Sequence, residues 1–146
     1  MAKIRILLLF FILNQSLTAQ NLRNFKTKNE ANTTERTYML DLLRAEVREE
    51  ISQKVVIVVN HFIVSGVYAW IEGSAQLKDG SKPKMPYNGM DCCQVEALYK
   101  RVNGKWVLKE SGAFSTDVWY YCIQESYKDV DMRIFPKEKH DIIMCK

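Results

Sequence analysis

The stretch from residue 54 to residue 77, KVVIVVNHFIVSGVYAWIEGSAQL, decides the fold. Its first part, Lys54 to Val64, is rich in β-branched residues, which favour a strand. The apolar character of this part is almost continuous, which predicts cover on both faces in the middle of the strand. Ser65-Gly66 is a turn signal, and Val67 to Leu77 continues as a second strand. We therefore predict an antiparallel hairpin.

Two more strands follow the hairpin after a long loop. Residues 78–91 (KDGSKPKMPYNGMD) contain two prolines and two glycines and form the longest predicted loop. Cys92 to Val102 and Lys105 to Ala113 are the predicted third and fourth strands. Asn103-Gly104 between them favours a two-residue hairpin, because a type I′ turn needs positive φ at both central positions.

Two helices flank the strands. Apolar residues that recur every three to four positions predict an amphipathic helix of about 17 residues; they are Met39, Leu40, Leu43, Val47 and Ile51. Thr33 or Thr34 is its predicted cap. Ser115 or Thr116 is predicted to cap a second helix that runs to about Tyr127.

This order of elements predicts an α+β fold. A long N-terminal helix packs on a curled, four-stranded antiparallel sheet, and its Leu/Val stripe forms one side of the core. A short C-terminal helix follows, and residues 128–146 form a mixed tail. We expect a single domain over residues 32–146, preceded by a flexible leader over residues 20–31.

The N-terminus predicts export. Lys3 and Arg5 precede the apolar run Ile6 to Leu13, which is too short to span a bilayer as a helix. Small and polar residues follow, so residues 1–19 are interpreted as a signal peptide that is cleaved after Ala19. The alternatives are a buried N-terminal strand or an uncleaved anchor. Cleavage leaves no membrane span and places the protein in a periplasm or outside the cell.

The four cysteines fit that compartment. Cys92, Cys93, Cys122 and Cys145 all follow the predicted signal peptide. An even number of cysteines in an oxidising compartment favours two disulfides. A bridge between the neighbours Cys92 and Cys93 would close a strained ring and ranks last. The two pairings that join either of them to Cys122 or Cys145 stay open.

Composition and charge exclude several classes of function. Hydrophobic residues make up 47% of the chain and charged residues 26%, as in globular proteins rather than disordered ones. A net charge of +4, scattered along the chain, gives no argument for nucleic acid. His61 and His140 are too far apart for metal-ligand spacing, so neither a metal nor a cofactor is predicted. His61 is expected to be a packed or hydrogen-bonded residue of its strand.

Several segments, in this order, resemble a protein family. They are Leu40 to Arg44, Lys54 to Val59, Val67 to Gly73, Ala97 to Tyr99, Asn103 to Trp106 and Thr116 to Trp119. Over about residues 38–125 the chain resembles a group of small exported bacterial proteins of uncharacterised function, with a cystatin/NTF2-like curled-sheet architecture. The resemblance implies this fold and an export route, and it implies no activity.

Three carboxylates are candidates for acid/base chemistry. Glu72 and Glu96 are expected on the concave side of the curled sheet, where a general acid or base can sit. Their alternative role is a solvated sheet face. Asp117 is expected to open the second helix beside Arg44 on the first. That pair is interpreted as an ion pair or helix cap, or otherwise as the polar floor of a ligand site.

Aromatic residues are the candidates for a binding surface. Trp70, Tyr87 and Trp119, together with Arg44, form the predicted ligand or partner surface, because Trp and Tyr are enriched at such surfaces. Trp119, Tyr120 and Tyr121 cover most faces of a helical turn, so at least one of them should reach solvent. The alternative is that these rings pack in the core.

The sequence favours a small, non-enzymatic, disulfide-bonded binding protein. Its partner is an unknown protein or small ligand, bound through the sheet and the 78–91 loop. One alternative is a small enzyme that uses Glu72, Glu96 or Asp117 in a sheet pocket. Another is a structural accessory of the cell envelope. Partner identity and oligomeric state are not predicted.

Export and oxidation can be tested together on the protein recovered from its native exported fraction. We expect mass spectrometry to show a chain that begins near Gln20, lighter by about four hydrogens than its reduced form because two disulfides have formed. A chain that retains Met1, or that carries free thiols, would contradict the predicted compartment.

Overall fold

The computed structural model describes residues 21–146, so the predicted signal peptide lies outside the described residues. The described part is an α+β structure around an open antiparallel sheet with the strand order β1-β2-β3-β4-β5. The strands are β1 (Arg23–Asn24), β2 (Val56–Ser65), β3 (Tyr68–Gln76), β4 (Gln94–Val102) and β5 (Lys105–Ser111). The helices are α1 (Thr33–Ile51), α2 (Ile123–Ser126) and α3 (His140–Ile143), with 3₁₀ turns at Met132–Ile134 and Lys137–Lys139.

The sheet has five strands rather than four. The additional strand β1 pairs with Ile63 and Val64 at the end of β2. Phe25, directly after β1, is buried and meets Phe62 edge to face. Residues 23–25 were predicted as part of a flexible leader, and this is corrected. A single aromatic residue in a polar segment has no periodicity that would have indicated a strand.

Helix α1 covers one face of the sheet. The five apolar residues of its predicted stripe are all buried, in one core cluster with residues of β2, β3, β4 and β5. Tyr99 from β4 donates a hydrogen bond from its hydroxyl to the carbonyl oxygen of Met39, 2.8 Å away. Neither predicted threonine cap is used, because Thr33 is already helical and Asn32 occupies the N-cap position.

The C-terminal segment, residues 115–146, covers the other face. Side chains of this segment enclose Tyr68, Trp70 and Leu98 of the sheet; they are Ile123, Val130, Ile134, Phe135 and Ile143. His61 lies on this face, and its Nε2 is 2.7 Å from the carbonyl oxygen of Ile134. Strand β3 is therefore buried on both sides.

The second helix is much shorter than predicted. Residues 115–122 form bends and turns, and only Ile123–Ser126 is helical. Ser115 Oγ accepts a hydrogen bond from the backbone N–H of Asp117, 3.1 Å away, which closes a local turn. This local bond satisfies the serine without starting a helix.

The Asn103-Gly104 hairpin is confirmed. Both residues have positive φ, 50° and 78°, as the type I′ turn requires. It joins β4 to β5, and Val102 and Lys105 flank the turn on the two strands. Arg101, one position before Val102, forms an ion pair with Glu35, which fixes the first turns of α1 beside this hairpin.

The disulfides are Cys92–Cys93 and Cys122–Cys145. The pairing that ranked last is therefore the one formed, and the ranking is corrected. Cys92 and Cys93 were both predicted to lie on the third strand, where neighbouring side chains point to opposite faces. However, β4 begins only at Gln94, so Cys92 and Cys93 lie in the preceding turn, and the peptide bond between them is cis.

The two disulfides should contribute unequally to stability. Cys122–Cys145 joins residues 23 positions apart, and replacing both with serine should lower the free energy of unfolding by about 3 kcal/mol, because a loop of this size loses much entropy on closure. The same change at Cys92 and Cys93 should cost less than about half of that. Urea unfolding of both double variants measures this, and equal losses would contradict the assignment of the pairs.

Candidate functional site

A polar cleft opens on the sheet face that carries the C-terminal segment. Its volume is about 420 Å³. The lining residues come from the middle of β2, the second half of β3 and the turn before β4; they are Asn60, Glu72, Gly73, Ser74, Asp91, Cys92, Cys93 and Gln94. The size lies within the range of small-molecule sites. We call it the disulfide cleft.

An irregularity of the sheet shapes this cleft. Val59 pairs with Gly73 and His61 with Glu72, so Asn60 is an extra residue, a β-bulge. Bulges redirect side chains and are frequent near functional sites. Only glycine fits at position 73, because a Cβ there would overlap the carbonyl oxygen of Val58. The bulge and the glycine thus place Asn60 at the cleft.

Glu72 and Glu96 face each other at the inner end of the cleft. They are direct partners on β3 and β4, so both side chains lie on the same face. Like charges opposite each other destabilise a sheet. Lys139, from the 3₁₀ turn before α3, resolves this conflict: its Nζ is 3.1 Å from Glu72 Oε1 and also contacts Glu96 Oε1. The three residues together carry one net negative charge.

Aromatic rings enclose this charged triad. The Trp70 indole N–H donates to Glu72 Oε1 over 2.9 Å. Trp119 stacks on Trp70 with ring centroids 5.4 Å apart. Lys139 Nζ lies 4.3 Å from the centre of the Tyr120 ring, a cation–π distance. These rings exclude water from one side of the ammonium group.

The environment shifts the pKa of Lys139. Burial of the ammonium group acts to lower it, but the hydrogen bonds and charges of Glu96 and Glu72 outweigh burial, and the pKa of Lys139 is raised above 10.5. A raised pKa in the folded state means that this stabilisation is fully present below the unfolded value of 10.5. It is lost as the pH rises through the higher folded value.

The structure brings Glu72 and Glu96 together but not Asp117 and Arg44. Asp117 is exposed in the turn after β5. Arg44 binds Asp41 on its own helix, with a 2.6 Å separation between Nη1 and Oδ1. The predicted Arg44–Asp117 pair is therefore corrected: α1 and residue 117 belong to opposite sides of the sheet.

The aromatic candidates fall into three environments. Trp70 is fully buried, so its assignment to an exposed surface is corrected. Its position on β3 beneath the C-terminal segment explains the burial. Trp119 is half-buried against it, whereas Tyr87 in the 78–91 loop is 71% exposed. Tyr121 is 65% exposed, which confirms that one residue of the 119–121 aromatic run reaches solvent.

Several residues of the site were missed in the sequence, and Lys139 and Asn60 are the two most informative. Lys139 is 43 positions from Glu96, in a tail without periodicity, and no local pattern relates them. Asn60 offered a signal, since a single polar residue interrupts the apolar run of residues 55–64 beside His61.

A second, more apolar groove lies beside the start of α1. It has a volume of about 510 Å³ between the start of α1 and the β4–β5 hairpin. Its lining residues are Ala31, Thr34, Glu35, Tyr38, Gly104, Lys105 and Trp106. Trp106 and Arg101 both donate hydrogen bonds to Glu35, so the carboxylate of this groove is already paired.

No protein-family model, curated protein or solved structure matches this chain. Within residues 21–146, no helix is long and apolar enough to cross a membrane. The same residues contain no group of three or more histidine, cysteine, aspartate or glutamate side chains placed to hold a metal ion.

The Lys139 contacts predict a large effect on stability. Lys139→Met leaves the carboxylate of Glu96, which is only 3% exposed, without its cation. We expect the free energy of unfolding in urea to fall by about 3 kcal/mol or more, because an unpaired buried charge is costly. Lys137→Met, on the exposed side of the same turn, should change it by less than about 0.5 kcal/mol.

A double variant separates charge pairing from packing. Lys139→Met combined with Glu96→Gln removes both charges, so the loss should be clearly smaller than the sum of the two single losses. Additive losses would show that Lys139 and Glu96 do not interact in the folded protein.

Proposed function

We propose that this is an exported, disulfide-bonded binding protein whose disulfide cleft takes a small polar ligand of positive charge. Its proposed location rests on the predicted signal peptide together with two disulfides, which form in oxidising compartments. The single observation that carries the binding role is the disulfide cleft itself, a polar cavity beside the predicted 78–91 loop.

The charge of the cleft supports a cationic ligand. Among residues 21–146, Glu72 and Asp91 are the ionisable groups that line it apart from the cysteines, which are oxidised. Lys139 balances one negative charge of the neighbouring Glu72–Glu96 pair. Glu72, Glu96, Asp91 and Lys139 together therefore carry a net charge of −2. Asn60, Ser74 and Gln94 add hydrogen-bonding groups, which suit a ligand that also carries hydroxyl or amide groups.

An enzyme is the second candidate function. Glu72 lines the cleft and Glu96 lies directly behind it, which supports an acid/base role for Glu72. Asp117 lies outside the cleft lining and has no part in this alternative. The resemblance to cystatin/NTF2-like exported proteins remains a prediction that agrees with either function.

Ligand screening by NMR tests the binding role. The probes are small primary amines and amino sugars, with carboxylic acids of matched size as controls. We expect the amines to shift the amide signals of residues 60, 72–74 and 91–94 with millimolar affinity, because the cleft is acidic and open, whereas the acids shift none. Asp91→Asn should weaken amine binding by a few fold, since one of two cleft charges is lost.

Two outcomes would redirect the proposal. Shifts confined to residues 31–38 and 104–106 would assign binding to the apolar groove instead. Conversion of a bound amine or amino sugar into a product that Glu72→Gln prevents would favour the enzyme. A matched control is Glu30→Gln, an exposed carboxylate in the turn before α1.

A further inference from the structure

We infer that Cys92–Cys93 is a thiol-exchange site of the disulfide cleft, selective for small cationic thiols of the aminothiol class and independent of the structural disulfide Cys122–Cys145. The inference uses the cleft of the proposed function but adds a covalent reaction to it. Three observations carry it: the spacing of the two cysteines, the anchoring of their backbone and the charge around them.

The spacing separates the two disulfides thermodynamically. Cys92 and Cys93 are adjacent, whereas Cys122 and Cys145 are 23 positions apart. A disulfide stabilises the fold by the same free energy by which the fold favours formation of the disulfide, because the two equilibria are thermodynamically linked. The fold therefore strongly favours the bond that closes the long loop and hardly favours the one between neighbours. Reducing Cys92–Cys93 leaves the fold with nearly all of its stability.

The backbone around the pair is held without the disulfide. The carbonyl oxygen of Cys93 accepts a hydrogen bond from the N–H of Ala75, 2.8 Å away. The N–H of Asp91 donates to the carbonyl oxygen of Phe114 over 3.0 Å. Cys93 also packs against the main core. These contacts keep both sulfur atoms at the cleft when the bond between them is open.

The cleft is accessible and acidic. Cys92 and Cys93 are half-buried, and both line the cavity together with Glu72 and Asp91. A thiolate that approaches must overcome the repulsion of these carboxylates. A thiol that also carries an ammonium group cancels that repulsion, and one that carries a second anionic group increases it.

The reaction balances with two molecules of the small thiol. The thiolate of the first attacks one sulfur of Cys92–Cys93, the S–S bond breaks, and the released cysteine thiolate takes a proton from solvent. A second thiolate attacks the outer sulfur of the mixed disulfide and leaves as the small-molecule disulfide. Both cysteines end as thiols, and two small thiols are oxidised to one disulfide.

The test uses the oxidised full-length protein and three thiols: cysteamine, 2-mercaptoethanol and 2-mercaptoethanesulfonate. Alkylation followed by peptide mass spectrometry reports each disulfide separately. At equal thiolate concentration and low salt, cysteamine should open Cys92–Cys93 on the order of tenfold faster than the sulfonate, with mercaptoethanol between them. Asp91→Asn should reduce the ratio of the cysteamine rate to the sulfonate rate several-fold, and the exposed control Glu30→Gln should leave that ratio unchanged.

Equilibrium with thiol/disulfide buffers gives the second readout. Half of the Cys122–Cys145 bonds should be reduced only at a ratio of thiol squared to disulfide on the order of a hundredfold higher than the ratio that half-reduces Cys92–Cys93. The circular dichroism of the protein should persist after Cys92–Cys93 is open. Cys122→Ser/Cys145→Ser should keep the exchange reaction if the variant folds, and Cys92→Ser/Cys93→Ser should lose it while retaining its circular dichroism.

Three results would overturn the inference. They are opening of both disulfides at the same buffer ratio, opening of Cys92–Cys93 only in denaturant, and equal rates with the three thiols. If amines still bind residues 60, 72–74 and 91–94 in that case, the proposed binding function stands and only the exchange reaction fails. If amine binding fails while charge-selective exchange is observed, the exchange reaction stands alone.

Discussion

The contact of Lys139 with Glu72 and Glu96 is the constraint on which much of the structure depends. Two facing carboxylates on neighbouring strands are unfavourable unless a cation lies between them, and the only side chain that the described residues place there comes from the C-terminal segment. The ion contact, together with the apolar contacts of Ile134, Phe135 and Ile143, keeps the C-terminal segment over Trp70 and Leu98. It also orients Glu72, whose carboxylate lines the disulfide cleft.

The cleft arises where the regular sheet is interrupted. The bulge at Asn60 needs a residue without a side chain at position 73, because the Val58 carbonyl oxygen occupies the space of a Cβ. Directly across β3, the chain turns into β4 through Cys92 and Cys93 rather than through an extended strand. The bulge in β2 and the turn before β4 leave a cavity over the second half of β3, and carboxylates line its wall.

The parts of the fold that follow periodicity could be predicted. The stripe from Met39 to Ile51 repeats at helical spacing and is buried, and the Asn103-Gly104 turn has the backbone that its residues favour. The short elements could not be predicted, since α2, α3 and β1 are stabilised by contacts with the sheet. The cysteine pairing was wrong because a ring between neighbours was ranked last and both cysteines were placed on the third strand, whereas β4 begins at Gln94 and Cys92 and Cys93 lie in the turn before it.

The sequence by itself determined the α+β class, the central hairpin and the helix stripe, because each depends on spacing within one segment, whereas the pairing of Glu72 with Glu96 depends on the register between β3 and β4. Only the tertiary structure decided that Lys139 binds both glutamates, that Trp70 is buried and that Asp117 lies away from Arg44. These relations join segments separated by 43 to 73 positions along the chain. They follow from how the C-terminal segment packs across the sheet, and no repeat in the sequence records that packing.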